Sequence, residues 1–327
     1  MGLTSAVDTV LDRSLVLGYT KIGPALRRRW WPADPQPGCL QGEHVVVTGA
    51  TSGIGEAMAG SFAALGATVH VLGRNPEKVS RVVGELSAAH PGATLVGEVC
   101  DVGDLDAVSA WCADLASRID GLRGLVHNAG LIPPTREVTA QGHEKQLAVH
   151  VLGPHLMTEL LLPALAARGG SVVWMSSGGM YSAGLRSTPE AIEYRDGDYD
   201  GVRGYARTKR MQVVLAQAWS ERLASDPQLG DVRVESTHPG WVATPGVSES
   251  LPGFDKVMGR LLRDPVSGAD TAVWLVATRP TSDNAHRFWH DRATRPTTYP
   301  WQRRQDRADV KAFTEYVTTA TGTPGLR

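Results

Sequence analysis

The chain has 327 residues, 42% of them hydrophobic, which is material for one large α/β domain or two smaller domains. Its 33 basic and 34 acidic residues leave a formal net charge of -1, which argues against a nucleic-acid surface. Three scattered cysteines (Cys39, Cys100, Cys112) and ten scattered histidines form no CxxC pair, zinc spacing or HExxH, so no metal site or disulfide framework is expected and a reducing cytoplasm is the expected location.

No apolar run approaches the ~20 residues that span a bilayer. Asp8, Asp12 and Arg13 interrupt any secretory apolar region. The string LRRRWW at 26–31 sets three arginines beside two tryptophans. It reads either as a peripheral membrane contact of an N-terminal extension or as an arm packed on the domain. Residues 1–25 lack a long clean apolar stripe, which favours the packed arm.

Residues 1–42 read as that extension, ending in the linker PADPQPG. Regular alternation then begins. Strands are predicted at 44–48 (HVVVT), 68–72 (TVHVL), 94–99, 122–127, 171–175 (SVVWM) and 232–236. Helices are predicted at 54–65, 76–89, 104–118, 143–167 and 205–224. Strands alternating with helices imply an α/β class: a doubly wound Rossmann-type parallel sheet with helices on both faces, in a single domain. Ligands of such sheets bind at the carboxyl ends of the strands, where the strand order reverses.

The first strand leads into Thr48-Gly49-Ala50-Thr51-Ser52-Gly53-Ile54-Gly55 and then a helix. Glycines permit close backbone approach, and a helix N-terminus offers amides and partial positive charge to a pyrophosphate. A plain glycine turn is the alternative. The spacing TGxxxGIG resembles the turn of the short-chain dehydrogenase/reductase family, and the resemblance covers 43–280, leaving 281–327 as a C-terminal extension.

The second strand ends Leu72-Gly73-Arg74-Asn75, with no carboxylate for a ribose 2′-hydroxyl. Arg74 instead offers a fork suited to a 2′-phosphate, so NADP(H) is favoured over NAD(H). A solvated turn residue is the other reading of Arg74, and the glycine turn carries no further base. The resemblance implies that Asp101, with Val102, meets the adenine. It likewise implies that Asn128, Ala129 and Gly130 serve the sheet and the cofactor ribose. His127 stands where the family has Asn, and reads best as a satisfied buried histidine.

Downstream of the fifth strand, which ends at Ser176-Ser177, lies Tyr205-Ala206-Arg207-Thr208-Lys209, a YxxxK. Positions i and i+4 share a helix face, so Lys209 sits beside Tyr205 and its ammonium is expected to lower the phenol pKa from about 10. The resemblance implies that Tyr205 is the general acid/base, Ser177 polarises the substrate oxygen, and Lys209 also holds the nicotinamide ribose. Ser176 is a neighbouring alternative to Ser177. His150 occupies the position of a catalytic Asn in many relatives. It either relays protons or holds a backbone carbonyl or water. Pro239, Gly240, Val242 and Thr244 are implied contacts of the nicotinamide carboxamide.

The strings SSGGM, YARTKRMQVVL, HPGWVATPGV, LPGF and GADTAVWL resemble, more narrowly, the subgroup named for dehydrogenase/reductase family member twelve, near the retinol-dehydrogenase-like enzymes. The long gap at 184–204 reads as a solvated loop or a lid. Met180, Tyr181, Trp241 and 245–263 are expected at the substrate site. Trp289, Tyr299 and Trp301 either cover it or belong to the core. The expected function is NADP(H)-dependent interconversion of a carbonyl and an alcohol on an apolar small molecule, by a monomer or homodimer. A non-catalytic nucleotide-binding regulator and a sugar-nucleotide epimerase or dehydratase are the alternatives.

Overall fold

A computed structural model describes residues 3–229, 231–244, 258–281, 287–299, 302 and 305–326. Six β-branched or otherwise apolar runs form strands β1 (His44–Thr48), β2 (Thr68–Gly73), β3 (Thr94–Val99), β4 (Gly124–His127), β5 (Ser171–Met175) and β6 (Arg233–Thr237). Two short strands, β7 (Phe288–His290) and β8 (Ala293–Thr294), follow near the C-terminus. The sheet order is β3-β2-β1-β4-β5-β6-β7-β8. All neighbours run parallel except the terminal β7–β8 hairpin. The order reverses between β1 and β4, and that is where a doubly wound sheet opens a crevice. The sheet thus continues past residue 280.

Both faces of the sheet are covered. Helices α4 (Gly53–Ala64) and α5 (Pro76–Ala89) follow β1 and β2, and α6 (Leu105–Arg118) follows β3. Between β4 and β5 lie α7 (Lys145–Leu147), a π-helical turn over Ala148–Leu152, α8 (Gly153–Leu160) and α9 (Leu162–Ala167). After β5 come α10 (Pro189–Ile192) and α11 (Gly201–Ala224), and after β6 comes α12 (Pro265–Thr278). Met58 and Phe62 of α4 pack with Ala272 and Val276 of α12 on one face. Trp111 of α6, Leu156 of α8 and Trp219 of α11 pack on the other. The final helix, α13 (Arg307–Thr321), adds Phe313 and Val317 to that second cluster.

The segment predicted as one helix over 143–167 is broken for a local reason. Pro154 has no N–H to give the carbonyl of His150 four residues earlier. Gln212 Nε2 satisfies that carbonyl instead, at 2.8 Å. Gly153 also passes so close to β3's exit that a Cβ would lie 1.9 Å from the Val102 carbonyl oxygen. The chain bulges into a π turn there, and such turns recur at functional sites.

Helices α1 (Leu3–Arg13), α2 (Leu15–Tyr19) and α3 (Ile22–Arg27) fold back on the domain. Arg27 is buried and pairs with Asp8 and Asp291, each at 2.7 Å. Arg263 reaches Asp291 at 2.6 Å, and Arg295 reaches Asp8 at 2.6 Å. The Trp31 ring lies 4.8 Å from the Arg292 guanidinium. Arg27 and Trp31 of LRRRWW therefore point into protein, as a packed arm requires. Among the described residues no helix is long and apolar enough to cross a membrane.

The β7–β8 turn is Asp291-Arg292, with φ of 50° and 54°. Two left-handed residues make the primed turn that matches strand twist, but neither is glycine. Ion pairs hold both side chains: Asp291 as above, and Arg292 on Asp270 and Asp34. The 184–204 segment is anchored as well. The Glu193 carboxylate accepts from His143 Nδ1 and the Glu144 amide, each at 2.7 Å, and from the Tyr316 hydroxyl. Ile192 and Tyr194 are buried, so this stretch is not simply solvated.

Candidate active site

Thr48 closes β1 and ties it to the end of β4. Its Oγ1 accepts the amides of Asn128 and Ala129 at 2.9 and 3.0 Å. Asn128 Nδ2 returns bonds to the carbonyls of Thr48 and Gly49, at 3.0 and 3.2 Å. Two glycines in this turn have no room for a side chain. Gly49 has φ +64°, and a Cβ on it would lie 2.8 Å from Ala129 Cα. A Cβ on Gly55 would lie 2.2 Å from the Gly49 carbonyl oxygen. Ser52, at the N-cap of α4, makes no side-chain cap bond, so no side chain competes there with an incoming anion.

A cavity of about 770 Å³ runs along the carboxyl ends of the strands. Gly49, Ser52, Gly53, Ile54 and Gly55 line it from the first turn. Arg74 lines it after β2, Asp101 and Val102 after β3, and Asn128, Ala129 and Gly130 after β4. Tyr205 and Lys209 of α11, with Pro239 and Thr244 beyond β6, complete the predicted set that reaches it. Thr48, His150, Ser177, Gly240 and Val242 do not line it. Val242 is buried and bridges to Arg263, and Gly240 sits at φ +78° against the Arg263 side chain.

Asp200 caps α11 by accepting the Arg203 amide at 2.8 Å, which sets the helix that presents Tyr205 and Lys209. Lys209 Nζ donates to the Met175 carbonyl at 2.7 Å and lies 5.2 Å from the Tyr205 ring centre. Burial pushes the Lys209 ammonium down to about 7. Burial also raises the Tyr205 phenol, while its bond with Ser177 pulls the other way. The direction is opposite to the one expected from an adjacent ammonium. Desolvation of the phenolate is the largest influence on Tyr205 and sets the direction. Ser176 and Ser177 differ in their partners, and of the two Ser176 lines the cavity. The Ser176 hydroxyl is buried and donates to the Lys209 carbonyl at 2.9 Å, whereas Ser177 meets Tyr205.

Comparison with known proteins gives the family. The family model for short chain dehydrogenase matches residues 43–195. The chain is 32% identical over 287 residues to "Dehydrogenase/reductase SDR family member 12" of Bos taurus, covering 87% of this chain and 88% of that protein. The chain belongs to the short-chain dehydrogenase/reductase family. It is an NAD(P)-dependent oxidoreductase. "Retinol dehydrogenase 14" of Homo sapiens is 27% identical over 308 residues, covering 88% of this chain and 89% of that protein. A crystal structure from Beutenbergia cavernae, described as a "putative NAD(P) dependent gluconate 5-dehydrogenase" with "bound NADP (low occupancy)", superposes with TM-score 0.59 at 27% identity, over 73% of this chain and 91% of that one.

Three basic residues on the cavity wall of this short-chain dehydrogenase/reductase escaped the sequence reading: Lys145, which pairs with Glu137, and two more after β2. Lys78 and Arg81 line the cavity beside Arg74. The spacing 74, 78, 81 is the signal that was available, because it stacks three residues on one side of a helix start. Arg81 also donates to the Thr51 carbonyl at 3.2 Å, bracing the glycine turn.

Both ring nitrogens of His150 are engaged. The Leu131 amide donates to Nε2 at 3.1 Å, so the proton sits on Nδ1, which donates to Thr208 Oγ1 at 2.7 Å. Burial, with the nearby Lys209 charge, holds the imidazole well below its ordinary pKa and hence neutral. Such a ring brackets the loop after β4 against α11. His150→Ala is therefore expected to lower kcat less than about 10-fold while destabilising the fold by about 1–3 kcal/mol, since two buried partners lose their bonds. Turnover assays beside urea unfolding check this; a loss of 100-fold or more in kcat at full stability would make His150 a relay. His127 is half satisfied: Nε2 donates to Thr158 at 2.8 Å, while Nδ1 is buried without a partner.

Of the residues expected around the substrate, Met180 and Trp289 are core, and Trp289 Nε1 donates to Glu235 at 2.7 Å. Tyr181 stacks on Tyr299 with ring centres 4.4 Å apart. Residues 245–257 and Trp301 lie outside the described residues.

Proposed function

We propose that this short-chain dehydrogenase/reductase interconverts a carbonyl and an alcohol on an apolar small molecule, prefers NADP(H), and moves the proton through Tyr205. One observation carries the reading: a single cavity has Tyr205 and Lys209 on its wall and Arg74, Lys78 and Arg81 at another part of it. The cofactor fits the residues present, because the glycine turn lines the cavity and the N-terminus of α4 behind it carries no side-chain cap bond, leaving its amides for a pyrophosphate. A bound nicotinamide supplies or accepts the hydride. The turn at 49–55 would hold the pyrophosphate, Arg74 with Lys78 the 2′-phosphate, and Asp101 the adenine.

The chain's own residues do the rest. Ser177 fixes the carbonyl oxygen and Tyr205 gives it a proton or takes one from the alcohol. Lys209 holds the ribose and, near its pKa of about 7, can exchange the proton that Tyr205 uses. Leu131, Ile132 and Pro133 line the cavity and suit an apolar substrate. In this reading residues 43–280 carry cofactor and chemistry, and 281–327 contribute cover through Tyr299.

Titration of NADPH and NADH side by side, read by tryptophan fluorescence, tests the cofactor. NADPH is expected to bind at least about tenfold more tightly, and Arg74→Ala to remove about tenfold of that while leaving NADH unchanged. Equal loss for both cofactors would remove Arg74 from 2′-phosphate recognition.

A further inference from the structure

The N-terminal helices end on the loops that carry Ser177 and Pro239. Tyr19, the last residue of α2, is buried. Its carbonyl accepts the Trp241 amide at 2.7 Å and Arg263 Nε at 3.0 Å. The Gly18 carbonyl accepts a second Arg263 nitrogen at 2.6 Å. The Tyr19 ring lies 4.6 Å from the His238 ring and 5.8 Å, edge-on, from the Trp241 ring. It also lies across Gly178, where a Cβ would come within 2.3 Å of Tyr19 Cε2. The residue after Ser177 is thus held to glycine by a side chain from 159 positions earlier. Gly240 is crowded from the same source, since its Cβ would lie 2.6 Å from the Tyr19 carbonyl oxygen.

We propose that Tyr19 is a positioning residue for the reaction: its ring, pressed on Gly178, fixes the Ser177 hydroxyl that meets Tyr205, and its carbonyl fixes the Pro239–Trp241 turn. The proposal rests on the carbonyl–alcohol reading above and adds to it a contribution from outside the region the family model matches. Active-site groups need placement to a fraction of an ångström, and a shift of about 1 Å costs on the order of 100-fold in rate.

The test compares Gly178→Ala, Tyr19→Ala and the double variant. Turnover is followed as NADPH-dependent reduction of 4-nitrobenzaldehyde and phenanthrenequinone, and hydrogen exchange is read on peptides covering 176–182. Gly178→Ala is expected to lose about 100-fold in kcat with unchanged NADPH affinity. Tyr19→Ala is expected to lose about tenfold and to speed exchange over 176–182 about tenfold, while Tyr19→Phe, which keeps the ring and gives up the hydroxyl's bond to Tyr299, stays within about twofold of wild type in both. The double variant is expected to turn over about tenfold faster than Gly178→Ala, because the added methyl then has room. Equal or slower turnover in the double variant overturns the proposal, as does wild-type exchange over 176–182 in Tyr19→Ala. Tyr19→Leu takes the same place in the cycle should Tyr19→Ala not fold. Exchange needs no substrate, so a wild-type protein inactive on both probes would count against the functional reading and leave the positioning result legible.

Discussion

Tyr205→Phe is expected to lower kcat by about 10²- to 10⁴-fold, the range for removing a positioned general acid. The variant deletes one oxygen and keeps the ring, whose centre lies 5.7 Å from that of His150 in an edge-on contact. Packing is therefore retained and NADPH affinity should stay within about twofold of wild type. Tyr205 is half-buried, and burial raises its pKa against the pull of Ser177, so the phenol is protonated at neutral pH. Rate assays of the variant beside a fluorescence titration check the prediction. Retained turnover would transfer the proton to another group, and simultaneous loss of NADPH binding would indicate a disturbed site rather than a missing acid.

Asp291→Ala is expected to cost about 3–5 kcal/mol of folding stability, measured by urea unfolding. Its carboxylate lies between Arg27 and Arg263, and the side chains of all three are no more than 2% exposed. Removing it leaves two buried guanidiniums facing each other. Asp291→Asn separates charge from backbone effects, because asparagine accepts the left-handed conformation of this turn nearly as well as aspartate. The Asn variant should therefore lose the electrostatic part alone. Burial works to raise the Asp291 pKa, but Arg263 and Arg27 outweigh it and the folded-state value lies below the ordinary one. A depressed carboxylate stabilises the fold above the unfolded-state pKa of about 4. That contribution fades as pH falls toward the folded-state value. Wild-type stability should drop over this acid window with a slope that Asp291→Asn lacks.

The first six strands were legible to within two residues at either end, because runs such as HVVVT and SVVWM are buried on both faces and little competes with them. The phosphate turn was legible for a related reason: its glycines are enforced by Ala129 and by the Gly49 carbonyl, contacts local to any sheet of this order. Phe288–His290 was not, since three residues carry no periodicity and pair only because β6 offers an open edge. The π turn at 148–152 was hidden in a continuous apolar helix pattern, its cause lying in Pro154 and in a carbonyl of β3's exit loop. Tyr205 and Lys209 could be read from a spacing of four, whereas the sign of the Tyr205 shift could not. Burial decided that sign, and burial is a property of the assembled fold. Tyr19 gave no local sign at all; only Gly178, a glycine with no turn to explain it, hinted at a partner.

The ion pairs that fasten the N-terminal helices also set an order of events during synthesis. Arg27 finds Asp291 across 264 positions, and Asp8 finds Arg295 across 287. The ribosome must therefore deliver residues as far as Asp291 and Arg295 before these ion pairs can close. Until then α1 to α3 emerge and wait beside a sheet whose last pair of strands is still being made. Loop closure over such distances is slow compared with local helix and strand formation. A nascent chain released before Asp291 would keep the bonds of Trp241 and Arg263 to Tyr19 and Gly18 but lack the buried ion pairs that fasten Asp8 and Arg27.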